Sequence, residues 1–471
     1  MSSAGGGTGV GTGVAVKSAA GRWIVLAAVL GSGMALLDGT VVNVAVKAIG
    51  EDLDAELTEL QWVVNAYMLS LASLILIGGS LGDRFGRKRV FMIGVAWFAT
   101  ASLLCGVAQD PLQLVAARAL QGVGGALLTP GSLAILQATL RPADRSRGIG
   151  TWSAYTGIAA AVGPLLGGWL IQVLTWRWVF FLNVPLAVVV LLVSARHVPE
   201  SGHRVPGERF DVAGAVLGAL GLAGTTYALI EANKGVSTAV VVAAAVGVVA
   251  MVGFVQVERH SRDPMVPPSL FADRTFSVVN TETFAVYGAL GGMLFLLVLQ
   301  LQITSGFSPL AAGLSMAPFT VIMLLFSSRA GALATRIGPR NQLVGGPLVA
   351  ALGVVALSRI GPDATYLGDV LPGILLFGSG MTLLVAPLTA TVLAAAPDED
   401  AGIASGINNA VARAASLLFV AALPTVVGLS DTDYQDPTAL TQGYRAALMV
   451  CTVVLVIGAA IALLVPRRQK V

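Results

Sequence analysis

Four charged residues lie well inside long apolar stretches and not at their ends: Asp38, Arg118, Glu282 and Arg413. A charge in such a setting is costly unless it pairs, meets water or changes its protonation. A carboxyl there can take up and release protons, and an arginine there can hold a carboxylate. Asp38 and Glu282 are therefore candidate proton-binding groups, and Arg118 is a candidate partner for an acid. Each also has a purely structural reading, as a group that caps or pairs helices, and Glu282 could be a shallow residue because it lies only seven positions past Thr275. Other chemistries are poorly served. Gly78-Gly-Ser80-Leu-Gly82 fits the nucleophile-elbow pattern but lacks its strand–turn–helix context. The three histidines, His197, His203 and His260, lie in polar segments, so no base stands near that serine in sequence. Cys105 and Cys451 sit far apart in apolar stretches and read as small buried hydrophobes. No metal-ligand spacing and no Walker string occurs, so neither a cofactor nor ATP is expected, and the chain does not read as an enzyme.

The elements that must position these charges are membrane helices. Of 471 residues, 56% are hydrophobic and only 11% are charged, whereas a soluble domain needs about 25% charged residues to cover its surface. Fourteen apolar segments can be marked: 23–46, 60–81, 90–108, 112–138, 149–173, 178–195, 212–230, 238–257, 276–301, 309–328, 342–358, 367–393, 401–427 and 443–465. Each is near the length that crosses a bilayer as a helix. They are too long and too continuous for barrel strands. With the N-terminus cytoplasmic, 21 of the 28 basic residues fall on the cytoplasmic side, which predicts an even number of spans with both termini inside. The net charge of +3 is thus a topology signal, and no nucleic acid is implied.

An internal repeat divides the chain. Gly79-Ser-Leu-Gly-Asp83-Arg84-Phe-Gly86 is similar to Gly331-Ala-Leu-Ala-Thr335-Arg336-Ile-Gly338, and Gly122-Val-Gly-Gly to Gly378-Ser-Gly-Met. Gly148-Ile149 recurs as Gly402-Ile403. These matches share one order and nearly one offset, so two related six-helix halves are predicted. The expected organisation is a disordered cytoplasmic segment 1–22, a bundle over 23–200, two inserted helices with their loops over 201–274, a second bundle over 275–466, and a tail 467–471.

The string Gly79 to Lys88, with Asp83, Arg84, Gly86 and Arg87, resembles the signature loop of the major facilitator superfamily. Arg118-Ala-Leu-Gln121-Gly122 resembles that family's helix-4 motif. Gly157, Gly163-Pro164 and Gly167-Gly168 resemble its antiporter motif. Leu37-Asp38 to Asn43-Val, and Trp176-Arg-Trp to Asn183-Val-Pro185, are similar to segments of its fourteen-helix drug:proton antiporter branch. Lys47 departs from the pattern, standing where a proline usually follows the helix-1 motif.

The resemblance implies an all-α membrane protein of the major facilitator fold. It implies that Asp83, Arg84 and Arg87 act as a conformational latch, that Arg118 is tied to proton transfer, and that the antiporter glycines favour exchange over symport. The expected function is proton-driven export of small amphipathic organic compounds such as drugs or antibiotics by alternating access. The partners would be that substrate, protons and the lipid bilayer of the cell membrane, with the monomer as the working unit. A narrow exporter of one endogenous compound and a membrane sensor on the same scaffold are the alternatives. Candidate cavity residues are Asn43, Asn65, Tyr67, Trp152, Tyr155, Tyr287, Gln300, Asn408, Asn409 and Arg413, with interhelical packing the competing role for each. Aromatic residues among them would suit flat or cationic ligands.

Overall fold

The computed structural model describes residues 13–201, 211–261, 264–397, 400–431 and 433–466. Fourteen helices among them are long and apolar enough to cross a membrane. They are α1 (Ala19–Leu53), α2 (Leu57–Phe85), α3 (Arg87–Val107), α4 (Pro111–Thr139), α5 (Pro142–Val173), α6 (Arg177–His197) and α7 (Val212–Lys234), followed by α8 (Thr238–His260), α9 (Arg274–Thr304), α10 (Pro309–Ala334), α11 (Pro339–Leu357), α12 (Tyr366–Ala394), α13 (Gly402–Val426) and α14 (Pro437–Ala462). All fourteen apolar segments correspond one to one with these helices. Several helices start before their apolar windows because polar caps, not the onset of hydrophobicity, begin them. Ser18, Asp110, Ser237, Asp273 and Asp436 each accept a backbone N–H from the first turn of their helix, which satisfies donors that a helix start leaves open.

One boundary needs correction. The expected disordered segment 1–22 lies outside the described residues only up to residue 12. Residues 13–18 are held: the N–H of Val14 donates to the Thr139 carbonyl, and the N–H of Arg141 donates to that of Val14. Ser18 then caps α1, which starts at Ala19 instead of Trp23. The loop 202–210 and the expected tail 467–471 lie outside the described residues.

Packing reproduces the repeat. In the first half α1 packs on α5 and α6, α3 on α4 and α6, and α2 on α4. In the second half α9 packs on α13 and α14, α11 on α12 and α14, and α10 on α12. The repeated glycine has a backbone cause in both copies: Gly86 and Gly338 turn α2 into α3 and α10 into α11 at φ +105° and +83°, where a Cβ would be strained. Prolines recur too, with Pro130 inside α4 and Pro387 inside its counterpart α12.

Both described chain ends lie on one face of the bundle, called here the terminal face; the other is the distal face. The halves meet along two seams, α2 with α13 and α5 with α10. The hydrogen bonds described between the halves lie towards the distal face. Lys47 Nζ donates to the Gln302 carbonyl at 3.0 Å, Gln302 Nε2 to the Val44 carbonyl at 3.0 Å, and Gln61 Nε2 to the Val420 carbonyl at 2.7 Å. Thr58 donates to Asp431 from both its backbone N–H and its hydroxyl. Lys47, the departure from the helix-1 pattern, thus ties the halves together.

The inserted helices α7 and α8 pack on each other, and α7 lies across the α2–α13 seam. Its distal end holds both sides. Glu231 accepts from the Trp62 indole, Thr425 donates to the Leu229 carbonyl, and Lys234 binds Glu56 at 2.9 Å and Asp431 at 3.8 Å. Hydrogen bonding to Lys234 holds the Glu56 carboxyl below the usual carboxylate range. A lowered value means the tie is present at neutral pH and is lost as the pH falls through that lowered value. Exposed pairs of this kind contribute at most about 1 kcal/mol. Lys234→Ala should therefore leave the fold intact but loosen the seam. Amide hydrogen exchange over 57–64 and 418–426 should rise several-fold; unchanged exchange would show that α7 does not fasten the halves.

Candidate functional site

Asp38 lies just past the middle of the 35-residue α1 and is fully buried. Its carboxylate is surrounded by three donors from two helices. Arg118 of α4 reaches Oδ2 at 2.5 Å, Gln121 of α4 reaches Oδ1 at 2.8 Å, and Asn183 of α6 reaches Oδ1 at 3.0 Å. Arg118 is 1% exposed, so this is a buried ion pair, which is stable only when the remaining polar atoms are also bonded. They largely are. Arg118 donates through Nε to the Val63 carbonyl at 3.1 Å and through a terminal nitrogen to Gln121 Oε1 at 2.6 Å. Ser102 accepts from Gln121 and Asn183 and donates to the Phe180 carbonyl. The guanidinium lies 4.3 Å from the centre of the Tyr67 ring, a favourable cation–π distance. The hydroxyl of Tyr67 donates to the Ala35 carbonyl at 3.1 Å.

Local sequence accounts for this convergence. The i, i+3 spacing of Arg118 and Gln121 puts both on one face of α4. A short break at Leu182 separates Arg177–Phe181 from Asn183–His197, and Asn183 opens the second piece towards Asp38. Sequence reasoning named Asp38 and Arg118 but not Gln121, Asn183 and Ser102 as their supports. Gln121 and Asn183 stood inside quoted motifs, and polarity within an apolar span was the signal that could have found them. Ser102 gave no such signal.

The antiporter glycines surround the same part of α1. A Cβ at Gly163 would overlap the Thr40 hydroxyl and lie 3.3 Å from the Leu37 carbonyl; at Gly167 it would lie 2.9 Å from Val41. At Gly168 it would meet the Pro309 carbonyl of α10 at 2.5 Å, and the backbone of Pro164 lies against Gly313. Gly157 behaves differently. It lies about two to three turns nearer the terminal face, and a Cβ there would meet nothing within 4 Å. Small size at 163, 167 and 168 permits close packing; at 157 it leaves space. Among these glycines, close packing is thus confined to the distal part of α5, and open space appears at Gly157 nearer the terminal face.

The latch residues sit on the terminal face. Arg87 pairs with Asp83 at 2.8 Å and donates to the Ala134 carbonyl at 3.3 Å. A Cβ at Gly86 would overlap Glu200, which accepts from the Lys88 N–H, and Gly79 faces Pro130 of α4. These contacts of Gly79, Asp83, Gly86 and Arg87 stay within the first half; Arg84 makes an interaction as well.

Glu282 does not join the Asp38 cluster. It is fully buried, and neither carboxyl oxygen has a hydrogen-bond partner. Ala285, nearly one turn on, faces Gly458 of α14, whereas Asn280 and Thr283 bond Asn408 of α13. Several expected cavity residues are buried in this structure. Gln300 is fully buried and donates to Thr441, Asn408 is bonded within the second half, and Asn65 and Tyr67 are buried. Tyr155 shares an exposed stripe of α5 with Ile158, Val162 and Trp169, as expected of a lipid-facing row. Trp152 donates to Ser32 of α1. Asn43, Trp152, Tyr287, Asn409 and Arg413 retain exposed surface.

The fold and the sequence both have counterparts among known proteins. A solved bacterial homologue of the human lysosomal transporter Spinster, inward-facing and unoccupied, superposes with a TM-score of 0.68 over 95% of this chain and 97% of its own, at 17% identity; that likeness speaks for the fold. The puromycin resistance protein of Streptomyces alboniger is 36% identical over 94% of this chain and 90% of its own length. The multidrug resistance protein Stp of Mycobacterium tuberculosis H37Rv is 35% identical over 86% and 75%. The sequence profile of the Major Facilitator Superfamily matches residues 28–420, and with fourteen helices in two equivalent sixes plus an inserted pair, this chain belongs to that superfamily.

Proposed function

We propose that this chain is a proton-coupled exporter of small amphipathic organic compounds, working by alternating access. The observation that carries the reading is the buried Asp38–Arg118 pair, set beside the α1–α5 packing at Gly163 and Gly167. A proton on Asp38 removes the counter-charge of Arg118, and α1 then loses its ion pair to α4 and keeps only the Gln121 hydrogen bond there. Because the same stretch of α1 packs against the antiporter glycines, protonation and helix movement act on one segment. The resistance and multidrug relatives support export as the direction. The gradient suffices in scale: one charge moved through about 150 mV is worth roughly 3.5 kcal/mol.

In this reading the terminal face is cytoplasmic, and the chain works as a monomer in the cell membrane without a cofactor. A cysteine replacing Asp433, on the distal face, should react with an impermeant maleimide in intact cells. Protection there would reverse the orientation. Glu282 is the second candidate for a proton, since a buried carboxyl without a donor is stable only when it finds a proton or a partner. The function is tested with the purified full chain in liposomes carrying an imposed pH gradient and a panel of unrelated dyes. Gradient-dependent movement of several dyes supports a broad exporter, and movement of none, with no proton flux, points to a sensor.

A further inference from the structure

The seam between α2 and α13 contains a cation that the Asp38 cluster does not use. Arg413 lies near the middle of α13, and among the described residues it makes no hydrogen bond and no ion pair. Its place follows from the seam. Gln61 meets Val420 near the distal end, and Leu76 lies 3.5 Å from a Cβ built at Gly406 nearer the terminal end. Positions 406, 413 and 420 are spaced by two helical turns and share one face of α13, so Arg413 faces α2 between these contacts, level with Tyr67. Part of its surface remains exposed. Tyr67 is its ionisable neighbour, and no acid acts on it among the described residues.

The acids that could have answered this charge are engaged or turned away. Asp38 is saturated by Arg118, Gln121 and Asn183. Asp431 is held by Thr58 and Lys234 at the distal face, and Glu282 stands on the side of α9 towards α14. One turn from Gln61 on α2, and so on the face that meets α13, Asn65 is buried with both amide atoms unbonded, and Gln61 has an unbonded carbonyl oxygen. Buried polar groups are ordinarily satisfied, so an unanswered guanidinium and an unbonded amide on the two helices of one seam mark a place where something else supplies acceptors. Two of the aromatic residues expected to suit flat or cationic ligands are otherwise placed. The Tyr67 ring already carries Arg118, and Tyr155 faces outward.

We propose that Arg413, assisted by the amide of Asn65, forms an anion-recognising subsite at mid-depth between the halves, so that the compounds this chain carries include organic acids. The carboxylate of such a compound would take two guanidinium donors in parallel, a strong and directional arrangement, while its apolar body lies between the halves. The proposal rests on the exporter reading for its biological use, but binding tests it independently.

The probes are 1-naphthoate, methyl 1-naphthoate and 1-naphthylmethylamine, which share one ring system and differ in charge. Their binding to the purified full chain is read by tryptophan quenching at neutral pH in one detergent. Wild type should bind the acid at least about tenfold more tightly than the ester or the amine, as one charge-assisted pair supplies. Arg413→Gln should bring the acid-to-ester ratio close to one, and Arg413→Lys should retain part of it. Asn65→Leu, which keeps the charge, should reduce the ratio without erasing it, and covers the case in which Arg413→Gln does not fold. Failure of wild type to bind the acid, preference for the amine or ester, or an unchanged ratio in Arg413→Gln and Asn65→Leu would overturn the proposal. Gradient-driven dye movement without acid preference would sink this inference alone. Acid preference without proton-driven movement would sink the exchange reading alone.

Discussion

Asp38→Asn should reduce proton-driven efflux to the rate seen without a pH gradient, while the protein still inserts and folds. The side chain keeps its shape but cannot titrate. It also replaces one acceptor oxygen by a donor in a site where Arg118, Gln121 and Asn183 all donate. Arg118, 1% exposed, is then left with a carbonyl and a glutamine oxygen as acceptors and no counter-charge. Removing one partner of a buried pair typically costs about 3–5 kcal/mol, so the variant should also melt earlier. That loss by itself would not reveal coupling.

The two roles part in a double variant. Asp38→Asn with Arg118→Gln removes both charges and leaves polar groups that can bond one another, so most of the lost stability should return. If the pair were only structural, transport would return with it. The coupling reading predicts a stable protein that still fails to move substrate against a gradient and releases no proton when substrate binds. Proton release is measured directly with a pH dye in weakly buffered detergent solution. Full gradient-driven transport by Asp38→Asn would move the coupling role elsewhere, with Glu282 the next position to replace by Gln.

How much of this was legible beforehand differs between fold and site. Helix number could be read because a bilayer demands a long apolar run for each crossing, and that demand is written residue by residue. The repeat could be read where backbone geometry forces a residue type, as at Gly86 and Gly338 with positive φ. Asp38 and Arg118 stood out because charge inside an apolar span is rare. Their meeting could not be read, since 80 positions separate them and no periodicity links α1 to α4. Polar residues in spans were ambiguous for a related reason. A helix sends its side chains in all directions, so Gln300 and Asn408, which bond within one half, carry the same local signal as Asn43 and Asn409, which keep open surface. The insert was visible as two extra spans, but its fastening of the α2–α13 seam depends on Glu231 and Lys234 meeting partners far off in sequence.

Gly163→Leu should abolish export while leaving membrane insertion and expression near normal. Even a methyl group at this position overlaps the Thr40 hydroxyl, which donates to the Leu37 carbonyl at 2.9 Å and the Ala160 carbonyl at 3.2 Å. Leu37 and Thr40 bracket Asp38. A leucine would push α5 from α1 or rotate Thr40 out of its bonds, and either movement shifts the carboxylate away from Arg118 and Asn183. Overpacking of this kind costs about 1–3 kcal/mol where neighbours can shift, which a fourteen-helix bundle can bear. Displacement of a charge pair by a few tenths of an ångström is a different matter, because every donor around Asp38 is fixed by its own helix. Gly157→Leu is the informative companion. It lies on the same helix, changes the same residue type, and faces space with nothing within 4 Å, so it should match wild type in thermal stability where Gly163→Leu does not. Normal gradient-driven efflux by a well-expressed Gly163→Leu protein would show that close packing of α5 on α1 is not what couples the Asp38 pair to helix movement.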